Sequence, residues 1–137
     1  MKYLLDTDIC IYIIKNRFVE LINKLREVGI ENVGISTITI AELEYGVANS
    51  NRPQESMARL YEFLVPFSII DFNFDCARCY GKIRKHLKDQ GQPIGPLDTL
   101  ISAIAMAQGH TLVTNNVKEF SRIPDLKIEN WVNTPKT

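Results

Sequence analysis

No apolar run in this 137-residue chain approaches the roughly eighteen residues that a membrane span needs. A membrane protein is therefore not expected. The formal net charge is zero, with 16 basic and 16 acidic side chains, so no global field announces a nucleic-acid partner. Any binding of RNA would need a local basic patch. Histidine is scarce: His86 and His110 are the two present, and neither sits beside a plausible nucleophile. No Ser-His-Asp set is in view. Only three cysteines occur, Cys10, Cys76 and Cys79. An odd number with no secretory leader at the N-terminus fits a reducing compartment, and a cytoplasmic location is expected. Low-complexity tracts, internal repeats and interdomain linkers are also missing. What remains is an ordinary globular composition, 45% hydrophobic and 23% charged, of a length that fits one domain spanning 1–137.

Short apolar runs alternate with amphipathic stretches from end to end. Lys2 to Leu5 is a strand stopped by Asp6. Ile9 to Ile14 is apolar with helical neighbours. Phe18, Leu21, Ile22, Leu25 and Val28 repeat at steps of three and four, which predicts a helix ended by Gly29. Val33 to Ser36 is the second strand. Thr37 opens a helix carrying Ile38, Ala41, Leu43, Tyr45 and Val47, although Ile38, Thr39 and Ile40 equally favour a prolonged strand. After the polar break at Asn49, Pro53 suits the first turn of a helix to about Leu64. Phe67 to Ile70 is the third strand, and Phe74 to about Lys88 a long helix. A Gly/Pro loop runs from Gly91 to Pro96, followed by a helix from Leu97 to Gln108 ended by Gly109. Thr111 to Thr114, Val117 to Phe120 and Leu126 to Ile128 are the fourth strand, a helical turn and the fifth strand. The alternation predicts an α/β fold, a parallel five-stranded sheet with helices on both faces.

Ligands of open parallel sheets bind beyond the carboxyl ends of the strands. Asp6, Thr7 and Asp8 follow the first strand there, and Glu42 lies one or two helical turns after the second. Asp98 opens the helix leading into the fourth strand, and Asn115, Asn116 and Glu119 come after it. Carboxylates gathered in one cleft repel each other, and a hard divalent cation relieves the repulsion. Such an ion activates water for attack on a phosphodiester. Each acid also has a plainer reading. Asp6 and Asp98 suit helix N-termini, and Glu42 could be a solvated helix residue.

Three stretches resemble the motifs of the PIN-domain family, and within it the VapC-type toxins of toxin–antitoxin systems. They are Tyr3-Leu4-Leu5-Asp6-Thr7-Asp8-Ile9, Ile38-Thr39-Ile40-Ala41-Glu42-Leu43-Glu44-Tyr45-Gly46 and Pro93-Ile94-Gly95-Pro96-Leu97-Asp98-Thr99-Leu100-Ile101. The tail is similar as well, from Leu112-Val113-Thr114-Asn115-Asn116 through Glu119-Phe120 and Ile123-Pro124 to Glu129-Asn130-Trp131. The resemblance implies a three-layer α/β/α sandwich and a Mg²⁺- or Mn²⁺-dependent endoribonuclease, often acting on structured RNA such as tRNA. It implies an antitoxin partner whose C-terminal segment blocks the site, and a homodimer. Asp6, Glu42 and Asp98 become the metal ligands and catalytic acids, with Thr7 orienting a ligand or water. The chain departs from the family pattern in two places. Asp8 stands where Asn is common, and Asn115 and Asn116 stand where many members place an Asp. Glu119 would then serve in its stead, with Asn116 orienting a water or phosphate. A catalytically silent binding module and an RNA-processing nuclease without an antitoxin are the competing readings.

Elsewhere the bland readings lead. Cys76-x-x-Cys79 has no second pair for zinc and is expected mid-helix, away from the helix start that a redox motif favours. Cys10 and Trp131 read as packing residues. Tyr12, Tyr45 and Tyr61 could line an antitoxin groove or pack the core. Arg78, Lys82, Arg84, Lys85 and Lys88 read either as a solvated helix face or as an edge that contacts phosphate.

Overall fold

The computed structural model describes residues 2–132, so residue 1 and residues 133–137 of the expected domain lie outside the described residues. The order is β1 (Tyr3–Leu5), α1 (Thr7–Ile14), α2 (Val19–Val28), β2 (Val33–Ser36), α3 (Thr37–Ala48) and α4 (Pro53–Leu64), then β3 (Ser68–Ile70), α5 (Phe74–Asp89), α6 (Pro96–Gln108), β4 (Thr111–Val113), α7 (Val117–Phe120) and β5 (Ile128–Glu129). A single 3₁₀ turn, Ile30–Asn32, precedes β2.

All strand pairs are parallel, in the order β3-β2-β1-β4-β5. Side chains alternate across the sheet. Leu5, Val33, Ile35 and Val113 face one core with Ile9, Leu21, Leu25, Leu43 and Leu60 of α1 to α4. Leu4 and Leu112 face a second core with Ile83, Ile101, Ile104 and Phe120 of α5 to α7. This is the expected three-layer sandwich. Consecutive apolar residues in β1 and β4 are explained by it, because both faces are covered.

Local chemistry decides the ambiguous stretch at Thr37. The Ser36 hydroxyl accepts from the Thr39 N–H at 3.1 Å and caps α3, so the helix wins over the β-branched run. Gly109 ends α6 in the left-handed region at φ 67°, which glycine adopts without strain. The last strand is displaced from the expectation. It is Ile128–Glu129 rather than Leu126 to Ile128, because β4 fixes its register: Leu112 pairs with Ile128 and Val113 with Glu129. Asp125, at φ 67°, turns the chain just before it. Cys76 is also not mid-helix. It lies in the first turn of α5, where its N–H donates to the Asn73 cap at 3.1 Å, and its side chain is fully buried. Cys10 is buried in the first core, and Trp131 packs edge-on against Tyr3 at 5.2 Å. Among the described residues, no helix is long and apolar enough to cross a membrane.

Candidate active site

Neighbouring strands β1 and β4 lead to opposite faces of the sheet. α1 packs in the first core and α7 in the second. A crevice forms where the connections diverge in this way. Asp6 is the residue immediately after β1, and Thr114 the residue immediately after β4. Their backbones are held together, with the Asp6 N–H donating to the Val113 carbonyl at 2.9 Å.

Asp6 caps α1. Its Oδ1 accepts from the Thr7 N–H at 2.8 Å and its Oδ2 from the Thr114 hydroxyl at 2.8 Å. Both bonds favour the carboxylate. Burial outweighs them: Asp6 is only 4% exposed, and its carboxyl is pushed up to about 7, with the charges of Asp98 and Asp8 adding to the effect. Asp98, half-buried in the first turn of α6, is pushed up to about 6 by burial and then by Glu42, Glu119 and Asp8. The five acids expected from sequence thus lie within one electrostatic neighbourhood. Asp8 is exposed at the start of α1, and Glu42 is half-buried on α3.

The polar side chains between these acids fix them. The Thr7 hydroxyl lies 2.7 Å from Glu42 Oε1 and 3.0 Å from the buried Thr39 hydroxyl. The Asn116 side-chain amide donates to Glu119 Oε2 at 2.7 Å, and its backbone N–H donates to the Thr114 hydroxyl at 2.9 Å. Asn115 is turned elsewhere, toward Tyr12 and Asn130. Thr39 and Thr114 were not singled out in the sequence. Thr114 becomes visible only once β4 is known to lie beside β1, since the pair after Leu5 and Val113 is Asp6 and Thr114. Thr114→Val leaves the Asp6 carboxylate short of one bond and the Asn116 N–H without its acceptor. A loss of about 1–3 kcal/mol is expected in urea unfolding at pH 8, with a smaller loss at pH 5, where Asp6 is protonated.

Among the described residues, no basic side chain forms an ion pair with these acids. Among the described residues the ion pairs are Lys24–Glu27, Arg52–Glu55 and Lys85–Asp89, all on the surface. Oxygen-only donors with mutual repulsion and no counter-ion fit a hard divalent cation. Among the described residues, no three acids converge closely enough to hold an ion in their present positions.

Comparison with known proteins agrees with this architecture. The PIN domain family matches residues 3–126. The chain is 44% identical over 132 residues to Ribonuclease VapC2 of Rickettsia felis, covering 96% of this chain and 98% of that one. It is 37% identical over 131 residues to the tRNA(fMet)-specific endonuclease VapC of Salmonella typhimurium, covering 96% and 98% respectively. The crystal structure of VapBC2 from Rickettsia felis, bound to a DNA fragment from their promoter, contains a chain that superposes with a TM-score of 0.91. That chain is 43% identical, and the match covers 96% of this protein and 99% of that chain. With the family match over residues 3–126, relatives similar over nearly their full length and a superposition at a TM-score of 0.91, the chain belongs to the PIN-domain family as a VapC-type nuclease.

Proposed function

We propose that this protein is the endoribonuclease toxin of a VapBC-type toxin–antitoxin pair and that it cleaves RNA, with tRNA as the first class to test, using Mg²⁺ or Mn²⁺ held by Asp6, Glu42 and Asp98. The carrying observation is the cluster of acids around the ends of β1 and β4, in which the carboxyls of Asp6 and Asp98 are pushed up and no ion pair to a cation occurs among the described residues. A bound dication supplies a Lewis acid for the phosphoryl oxygen and lowers the pKa of a water. The chain's own residues do the positioning. Thr114 and the α1 N-terminus hold Asp6, Thr7 holds Glu42, and Asn116 holds Glu119 within the field of Asp98. Glu119 would support the site as a further acid. The nuclease names of the relatives support RNA as substrate, and the VapBC assembly of the Rickettsia felis neighbour supports a VapB-like antitoxin as partner. Exposed Tyr45, Tyr61 and Met57 on α3 and α4 offer an apolar surface for such a partner.

Metal titration of the purified protein on a tRNA panel tests this. Cleavage is expected to appear with Mn²⁺ or Mg²⁺ and to vanish with EDTA. Intact tRNA at millimolar Mn²⁺ would instead favour a silent binding module.

A further inference from the structure

A second feature adjoins the acidic site and carries the opposite charge. Tyr80, Arg84 and Lys88 stand four residues apart on α5, so they form one stripe along the helix. Facing them are Pro93, Ile94, Pro96 and Thr99, and between the two walls runs a groove of about 520 Å³. Its floor is anchored by Leu87, which is buried in the second core. The Arg84 guanidinium lies over the Tyr80 ring at 5.9 Å and donates to its hydroxyl at 3.1 Å, which holds the cation along the wall. Lys88 is exposed. Arg122 donates to the Pro93 carbonyl at 3.2 Å and brings a third cation to the opposite wall.

One end of the groove lies beside Asp98 in the chain. Thr99 is the next residue after Asp98, and its hydroxyl donates to the Gly95 carbonyl at 2.9 Å. A Cβ placed on Gly95 would lie 3.7 Å from Asp98 Oδ2, so the loop end abuts that carboxylate. A polyanion that must reach an acidic centre needs cations beside the centre rather than within it. In a chain of zero net charge these cannot come from the overall field.

We infer that the groove between α5 and the 91–96 loop holds the RNA backbone on the Asp98 side of the site, with Arg84 and Lys88 contacting successive phosphates. This rests on the reading of the protein as a ribonuclease, and it adds where the strand runs. The mixture of cations, an aromatic ring and apolar walls suits single-stranded or looped RNA. An acidic peptide is the other polyanion that such a groove could attract. It offers no bases for the aromatic and apolar part of the groove, which the RNA reading uses.

The test uses bulk tRNA as the probe and compares wild type, Arg84→Glu/Lys88→Glu and Lys85→Ala. Lys85 is a cation on the same helix outside the groove, paired with Asp89 at 2.6 Å. Binding is measured by filter retention in EDTA, so that cleavage plays no part, and cleavage is then measured with Mn²⁺. The groove double variant is expected to bind at least tenfold more weakly and to raise KM, with kcat and the melting temperature little changed. Its log K against log salt slope should fall by about 1.4, from two lost contacts of about 0.7 each on a single strand. Lys85→Ala should match wild type. Equal binding by the double variant and wild type would overturn the proposal, as would an equal loss in Lys85→Ala. Loss of antitoxin binding with RNA binding intact would assign the groove to a protein and overturn it too. If wild type binds tRNA through the groove but never cleaves it, the ribonuclease reading fails while the groove stands.

Discussion

Asp98→Asn, and separately Asp6→Asn, are expected to lower Mn²⁺-dependent RNA cleavage by about a thousandfold or more, equivalent to about 4 kcal/mol of transition-state stabilisation. The amide keeps the size of the carboxyl group and one acceptor oxygen, so it removes charge and little else. In a partly buried site, one carboxylate and a dication a few ångströms apart interact by several kcal/mol at an effective dielectric of about 20. That is enough to account for the loss. The fold should not suffer. Asp98 gives up a favourable place in the first turn of α6, about 0.3–1 kcal/mol, but repulsion from Glu42, Glu119 and Asp8 disappears with it. Asp6→Asn can still cap α1 through its oxygen, and its amide can donate to the Thr114 hydroxyl where that hydroxyl donated before. The check is cleavage of the same tRNA panel beside a thermal melt, together with growth arrest on expression. A folded Asp98→Asn protein that cleaves at the wild-type rate would remove Asp98 from the catalytic acids.

How far these residues could be read in advance varied with the kind of interaction. Acids that directly follow a strand are legible, because a parallel sheet presents strand ends at one edge, and Asp6 declares itself in that way. Residues that matter through a neighbour far along the chain are not. Thr114 lies 108 positions from the carboxylate it serves, and only the placement of β4 beside β1 connects them. Thr39 is similar. Its β-branched neighbours argue for a strand, and the Ser36 cap, a local feature, reverses that and turns Thr39 inward toward Thr7. The fifth strand slipped because Leu126 continues an apolar pattern while the ladder to β4 sets the register. The basic run on α5 shows the same limit. Its charge is visible in sequence, but Arg84 and Lys88 are distinguished from Lys85 only by where the 91–96 loop lies.

The same buried acids should make the metal-free protein less stable as pH rises, the reverse of ordinary acid denaturation. Asp6 titrates near 7 in the folded chain against 3.8 as its ordinary value. Between roughly pH 4 and pH 7 the folded state therefore keeps a proton that the unfolded state has released, and stability falls with pH across that window. Below it both states are protonated and nothing is lost; above it the penalty is complete. Three units correspond to an upper bound of about 4 kcal/mol for Asp6. Asp98, near 6, acts in the same direction, but it is half-exposed and solvent screening reduces its share. His110 is lowered by burial, so it opposes the trend only between its lowered value and the ordinary 6.5. In EDTA the melting temperature at pH 8 is expected to sit roughly 10 °C below that at pH 5.5. Asp6→Asn should flatten the profile and melt above wild type at pH 8. Mg²⁺ should restore wild type at pH 8, by about 2.7 kcal/mol at a hundred times its dissociation constant, and do little at pH 5.5, where protons already occupy the acids. Mg²⁺ that stabilises wild type and the Asp6→Asn/Asp98→Asn double variant equally would mean that the ion binds elsewhere. A melting temperature that rises from pH 5.5 to pH 8 in EDTA would mean that burial does not hold these carboxyls in their protonated form.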